Sequence, residues 1–536
     1  MSLTKVSYSM ISGAPVNITD FGAVGDSNGT PGNGTDNTAA IQAAVTYANA
    51  NGFSVYLPTG TYRITAPINF TGIQAKSDFI GESNFNTVIY ADFTSATSVA
   101  ALSVANTTSP RAYVGFKNFQ LLGKSTANVS GIYSNFGSEF TEFQNVWVRN
   151  FYNGFVLATN YHLKLTNCQA WTCTNNGFQV GYTLDNVLSP ANNVAFIGCL
   201  ATGNAANGFY IASCRALGMV QCDSEANVYA NIYLDTVYGA SLTGIYMEYA
   251  PSVPGNPPAQ LYIKNSTGVA VNGLSVSAFD NSSNPVILVD DACNGVILNA
   301  IAIETAGSPT SAIGLTVKNS FGVALNSSYF NGMTVGVYLD GAARLSIRDS
   351  NFSNCTSPVS ATGSTPSQQI YWDQATPAQV AASAPNIASN VSVDVWYINN
   401  TKNKVDQTVA FNVSVSYTDL AAAGTKTLID SVFLGEQWRI TDIFAVGVTA
   451  FSGGGGDRLL NITDGTNSYS VIPAVNLQSA TTQARWGSAA VPYSAVTSAM
   501  VQPTIAGANL YAAYSGGTTD YTAGIINLTI VAERVA

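Results

Sequence analysis

Beyond residue 110 apolar and polar residues alternate with period two in short repeated stretches, which from residue 145 on are each introduced by a Gly, an Asn or another small or polar residue. Aligned on that residue, Asn145-Val146-Trp147-Val148-Arg149 falls over Asn167-Cys168-Gln169-Ala170-Trp171, Gly198-Cys199-Leu200-Ala201-Thr202, Gln221-Cys222-Asp223-Ser224-Glu225 and Gly244-Ile245-Tyr246-Met247-Glu248. The series continues at Gly273, Ala300, Ser327 and Asp349, in steps of 22 to 31 residues. A second marker, Asn-Gly-Phe at Asn153, Asn176 and Asn207, keeps step with the first, and Asn231-Ile232-Tyr233 takes the next equivalent place. Alternation predicts strands, and two markers moving together at this step predict one set of strands per turn of a parallel coil. Stacked turns place Val146, Cys168, Cys199, Cys222, Ile245, Leu274, Ile301 and Ser328 in one inward column. Cys168, Cys199 and Cys222 are therefore read as small apolar residues in a stack rather than as redox or metal ligands.

The coil is preceded by a different pattern. Val16-Asn17-Ile18-Thr19-Asp20-Phe21-Gly22-Ala23-Val24-Gly25-Asp26 leads through the loop Ser27 to Gly34 into the helical run Thr35 to Val45, with Asp36 as the expected N-cap. Val55-Tyr56-Leu57-Pro58-Thr59-Gly60-Thr61-Tyr62 follows as strand and turn. This constellation, about 50 residues long, resembles the opening segment of the pectate-lyase-like β-helix superfamily, whose helix plugs the open end of the coil. The loop from Ser27 to Gly34 is longer than the connection usual in that superfamily.

Residues 361–404 are rich in Pro, Ala and Asn and read as a connector. From 405 to 536 short strands such as Trp438 to Val446 and Gly524 to Val531, separated by Gly453 to Gly456 and Asp464-Gly465-Thr466, predict an antiparallel sandwich. The expected organisation is an N-terminal arm over 1–15, a capping segment over 16–72, a parallel β-helix over 73–360, the connector, and a C-terminal β-sandwich for trimerisation or carbohydrate binding. The fold class is all-β: a right-handed parallel β-helix with an N-terminal capping helix and a C-terminal antiparallel β-sandwich. The opening residues Val6 to Ala14 look like the lead-in of phage tail proteins, so the resemblance, taken whole, is to bacteriophage tailspikes. It implies a homotrimer, attachment to a phage tail or baseplate through the N-terminal arm, a place in the virion tail after synthesis in the host cytoplasm, and action on a bacterial surface polysaccharide.

Composition narrows the partners. Charged residues are only 9 % of the chain against roughly 25 % in typical soluble domains, so Asn, Ser, Thr and Gly must supply the polar surface, as tight turns and pleated strands allow. The net charge of −10 disfavours nucleic acid and anionic membranes, which bind through Lys and Arg, and it argues weakly against a strongly anionic glycan. No apolar run reaches the roughly 18 residues of a membrane span, and Met1 to Pro15 lacks the layout of a signal peptide. Seven cysteines without a CxxC pair indicate neither a disulfide framework nor a zinc site, and no cofactor is expected.

The outward columns carry the chemistry. One runs Trp147, Gln169, Leu200, Asp223, Tyr246, Ser275, and the other Arg149, Trp171, Thr202, Glu225, Glu248, Ser277, Glu304. Aromatic rings beside carboxylates on a flat surface suit a polysaccharide, since sugars stack on rings and their hydroxyls bond to acids. Asp223, Glu225 and Glu248 are the catalytic candidates, against the plainer reading that they are solvated acids; Trp147, Arg149, Trp171, Tyr246 and Glu304 are the substrate-binding candidates. Residues two apart on a strand lie about 6.8 Å apart and adjacent rungs about 4.8 Å. Asp223/Glu225 thus falls near the carboxylate separation of inverting glycosidases and Glu225/Glu248 nearer that of retaining ones. His162, the one histidine, starts a strand and reads as structural. The expected activity is endo-hydrolysis of O-antigen or capsule. The alternatives are a lyase acting on a uronic-acid-containing glycan, for which Lys164, Arg215 and Arg149 are too scattered, and a non-catalytic receptor-binding fibre.

Overall fold

The computed structural model describes residues 13–373 apart from 71–76, 106–112, 125–126, 136–139, 249–258, 280–283, 306–311 and 362–367, and beyond 373 it describes backbone strands only. The coil is a parallel β-solenoid with three ribbons of strands. The first holds Tyr161–Thr166, Ala191–Ile197, Cys214–Val220, Tyr238–Thr243, Thr267–Asn272, Asn294–Asn299 and Val323–Asn326, each paired in parallel with the next. The second is built of shorter strands, Gln169–Trp171, Leu200–Thr202, Asp223–Glu225, Tyr246–Glu248, Ser275–Phe279, Ala302–Thr305, Tyr329–Asn331 and Asn351–Ser353. The third is a twelve-stranded parallel sheet that includes Phe155–Leu157, Phe178–Val180, Asn207–Ala212 and Ala230–Asp235.

One residue per turn makes the corner between the first and second ribbons, and it is the residue on which the repeat aligns. Asn145, Asn167, Gly198, Gln221, Gly244, Gly273, Ala300, Ser327 and Asp349 all have φ between 47° and 68°. A left-handed residue there turns the chain sharply without breaking the alternation on either side, which favours Gly and Asn. The inward column is as expected: Val146, Cys168, Cys199, Cys222, Ile245, Leu274, Ile301 and Ser328 are all buried. The cysteines are free, and burial pushes the Cys173 and Cys214 thiols up to about 12, which leaves them unreactive.

The Asn-Gly-Phe marker has a separate reason at each place. The Asn side chains form a buried ladder, with Asn153 Oδ1 accepting the Asn176 amide at 3.1 Å and Asn176 Oδ1 accepting the Asn207 amide at 3.1 Å. The Gly leaves room for the next turn: a Cβ on Gly154 would stand 2.5 Å from the Gly177 carbonyl oxygen, and one on Gly177 2.8 Å from that of Gly208. The Phe rings stack as a column, Phe155 on Phe178 at 4.8 Å and Phe178 on Phe209 at 4.7 Å.

Before the coil, Val16–Asn17 pairs in parallel with Val55–Leu57, and a helix spans Thr38–Asn51, burying Ile41, Ala44, Val45 and Ala48. The helix starts one residue later than expected, with Asn37 rather than Asp36 at the N-cap. Asn37 spends its side chain on the Val24 backbone, at 2.6 and 3.0 Å, while Asp36 Oδ1 accepts the Thr38 amide at 3.0 Å from just outside the helix. The loop from Ser27 to Gly34 is tied to the coil by Asp92, which accepts the Gly32 amide at 2.7 Å and pairs with Arg63 at 2.7 Å and Lys124 at 3.0 Å.

Within the stretch read as a connector, Gln369–Asp373 pairs in parallel with Ser392–Trp396, and Ile370 and Trp372 are buried. Further on, Trp438–Ser452 and Thr408–Ser416 pair antiparallel with Ala523–Arg534, and Thr425–Ile429, Leu510–Ser515, Leu459–Thr463 and Ser468–Ile472 form a second antiparallel sheet. The side chains that would join these sheets into a sandwich lie outside the described residues, as does the arm before residue 13.

Candidate functional site

The second ribbon, extended upstream by the end of the strand Phe140–Arg149, carries all the catalytic and substrate-binding candidates. Its strand Asp223–Glu225 is flanked by left-handed residues, Gln221 at φ 51° and Ala226 at φ 53°, which confine the outward side chains to Asp223 and Glu225. The residue between them, Ser224, points inward and is fully buried. Its hydroxyl donates to the Asn231 carbonyl at 2.8 Å and accepts from Asn227 at 3.1 Å, and Asn227 also donates to Asn231 Oδ1 at 2.8 Å. Asn231 in turn donates to the Glu248 carbonyl at 3.3 Å and to Gln260 at 2.9 Å. A satisfied polar network of this kind, beneath the acids, locks the backbone of two consecutive rungs.

The register places Asp223 beside Tyr246 and Glu225 beside Glu248. Glu225 and Glu248 therefore face each other across one rung, about 4.8 Å apart at Cα. Glu248 is held in place. The Tyr246 hydroxyl donates to Glu248 Oε2 at 2.9 Å and lies 2.8 Å from Ser277 Oγ, one rung further on. Since the single phenolic proton goes to Glu248, the Ser277 hydroxyl must be the donor to Tyr246. Burial raises the Glu225 carboxyl above its ordinary value, and the neighbouring Glu248 and Asp223 add to the effect; burial also raises Asp223. One carboxyl biased toward its protonated form beside another carboxylate held by a phenol is an arrangement that can protonate a leaving oxygen while its partner attacks or activates water.

Upstream on the same ribbon Trp147 pairs with Gln169, and Arg149 with Trp171. The Trp147 and Trp171 rings lie 5.7 Å apart, and the exposed Phe85 meets Trp147 edge-on at 4.9 Å. Trp171 stands two rungs from Glu225 through Thr202, about 10 Å along the ribbon. Glu304 is exposed on the far side, where the register slips between Val276 and Phe279, so it does not continue the Glu225–Glu248 column in step. His162 lies on the first ribbon, exposed, with Nδ1 2.7 Å from the Asn193 amide nitrogen. Among the described residues no three His, Cys, Asp or Glu side chains are grouped to hold a metal ion, and no helix is long and apolar enough to cross a membrane.

Sequence reasoning missed Phe85, which comes from a loop outside the repeat, and it missed that Tyr246 binds Glu248. A Tyr two residues before a Glu on an outward face was the available signal, because the two point the same way on a strand.

Residues 15–229 match the family described as rhamnogalacturonase A/epimerase, pectate lyase-like. No curated protein matches the chain. Among solved structures, the Agl-KA catalytic domain is 17 % identical over 65 % of this chain and 67 % of its own, with a TM-score of 0.47. The A-module of the Azotobacter vinelandii mannuronan C-5 epimerase AlgE4 is 16 % identical over 65 % of this chain and 100 % of its own, with a TM-score of 0.45. The gp42 tailspike of Acinetobacter phage vb_AbaP_AS12 is 14 % identical over 74 % of this chain and 66 % of its own, with a TM-score of 0.44. That family match spans the opening segment and the first turns of the coil, and the three parallel ribbons are the solenoid fold that the resemblance implied.

Proposed function

We propose that the chain is a phage tailspike that binds a bacterial surface polysaccharide, O-antigen or capsule, along its second ribbon and cuts it internally by hydrolysis. The observation that carries this reading is the facing pair Glu225 and Glu248 with Tyr246 bonded to Glu248, at one end of a row that continues to Trp171 and Trp147. Glu225 is the general acid. Its carboxyl is raised by burial and by its neighbours, as protonating a glycosidic oxygen requires. Glu248 is the nucleophile: facing it across one rung, with Cα atoms about 4.8 Å apart, Glu225 can bring its carboxyl to the roughly 5–5.5 Å from Glu248 that retaining glycosidases use. Asp223 raises the local negative potential and stands beside Tyr246, while Trp147, Arg149 and Trp171 hold sugars about two to three rungs away.

Elimination is the less suited chemistry. A lyase needs a cation against the carboxylate of the sugar that loses its proton. Here Lys164 is engaged by Glu142 at 3.6 Å, Arg215 belongs to the first ribbon, and Arg149 is three rungs from Glu225. The tailspike reading also carries a homotrimer, attachment through the residue 1–15 arm, the connector and terminal sandwich boundaries at 361–404 and 405–536, and a place in the virion tail.

The test is incubation of the full chain with a panel of purified O-antigens and capsules. New reducing ends lost in Glu225→Gln and Glu248→Gln are expected, with retained anomeric configuration by NMR. Absorbance from an unsaturated uronate would replace hydrolysis with elimination, inverted product would move the second role to Asp223, and retention without shortening would leave a binding fibre.

A further inference from the structure

A concavity lies away from the acids. Pro190, Asn192, Ser213, Arg215 and Tyr238 line a pocket of about 380 Å³ on the first ribbon. Arg215 and Asp223 share a turn, but the corner at Gln221 puts them on different ribbons. Tyr161, Asn192, Arg215 and Tyr238 are register partners on four successive rungs, a row of about 14 Å. The pocket is built rather than incidental. Its rim at Pro190 belongs to a turn closed by the Thr183 amide on the Val187 carbonyl at 2.9 Å and the Ser189 amide on the Gly181 carbonyl at 2.8 Å. The Ser189 hydroxyl is fixed in turn by the Thr159 amide at 3.2 Å.

Large apolar side chains that face solvent gather here. Val187, Leu188, Tyr161 and Tyr238 are 61, 55, 40 and 46 % exposed, and all four lie in or beside the row and its rim. Arg215 is exposed, holds its guanidinium 5.5 Å from the centre of the Tyr238 ring and makes no ion pair among the described residues, so it can turn N–H donors toward a ligand. An apolar floor with a guanidinium, an amide and a hydroxyl around it is the chemistry that takes a polyhydroxylated ring, whose C–H face lies on an aromatic side chain while its hydroxyls bond to the rim.

We infer that this pocket is a second glycan-binding site, one that holds the polymer while the acidic ribbon cuts it. The holding role rests on the hydrolase reading; the binding does not. Binding is read on immobilised purified O-antigens and capsules with the full chain and with Tyr238→Ala, Arg215→Gln and Tyr238→Phe, all on an exposed row, with melting temperatures checking the fold. On the polymer that retains the parent protein, Tyr238→Ala and Arg215→Gln each weaken retention about tenfold, the scale of one aromatic or cation–π contact, and Tyr238→Phe keeps it. Cleavage of a short oligosaccharide from the same polymer stays within twofold of the parent. Glu225→Gln reports separately, because it loses cleavage and keeps retention; if it still cleaves, the hydrolase assignment falls and the retention result stands. Unchanged retention in Tyr238→Ala and Arg215→Gln, no retention of the parent on any polymer, or a change of oligomeric mass in sedimentation that makes the pocket a contact between copies would each overturn the inference.

Discussion

Tyr246→Phe removes one oxygen and leaves the ring. In the parent, that oxygen donates to Glu248 Oε2 at 2.9 Å and is 2.8 Å from Ser277 Oγ, so the substitution removes the Tyr246 donor from Glu248 and the Tyr246 partner from Ser277. A hydrogen bond to a charged group contributes about 1.5–3 kcal/mol net, and each 1.36 kcal/mol is a factor of ten, so kcat should fall about 10- to 150-fold. The half-buried ring stays in its column, so KM and the melting temperature should stay near those of the parent. Ser277→Ala breaks only the outer, neutral bond, worth about 0.5–1.5 kcal/mol, and should cost about 2- to 10-fold in kcat. The assay is the initial rate of reducing-end release against polymer concentration. A kcat within twofold of the parent refutes the idea that Tyr246 orients Glu248, and a raised KM with unchanged kcat would make Tyr246 a sugar-stacking residue instead.

Three further outcomes are expected. Because Glu225 acts protonated and its carboxyl is raised by burial, then by Glu248 and Asp223, kcat/KM should fall as pH rises through a midpoint above the ordinary Glu value of about 4.3; Asp223→Asn, removing one neighbouring charge, should move that limb to lower pH, and a pH–rate profile reads the shift. Burial would raise the Asp92 carboxyl, yet the Gly32 amide, Arg63 and Lys124 outweigh it and hold it at about 2, so its stabilising contribution is present above the unfolded value of about 3.9 and is lost as pH falls toward 2. The melting temperature of Asp92→Asn should therefore lie below that of the parent at pH 6 and converge with it near pH 2. Phe178→Ala opens a cavity between Phe155 and Phe209 and should destabilise the coil by about 3–5 kcal/mol; hydrogen exchange should localise the loss to neighbouring turns, since each turn of a solenoid contacts only the next.

The architecture was legible in the residues because a stacked coil converts sequence position into column with few free choices. One left-handed corner per turn, at Asn145, Asn167, Gly198 and their successors, sets the phase, and alternation then decides which side chains face inward. The Glu225–Glu248 pairing followed from that phase alone. What lay beyond it depended on groups that the alternation does not order. Tyr246 could have stacked on a sugar or bonded to Glu248, and only the rotamers of Tyr246, Glu248 and Ser277 together decided for the bond. Phe85 reaches Trp147 from a loop with no period, and the wall at Pro190 comes from a turn between two ribbons. Asn37 stands at the helix N-cap with its side chain bonded to the Val24 backbone, thirteen residues away, a contact no local pattern announces. Alternation along a strand is a local property that the chain carries in its order, so the columns could be read from the sequence. Contacts between loops and rungs depend on where separate segments arrive in space, and that was settled only when the turns closed on one another.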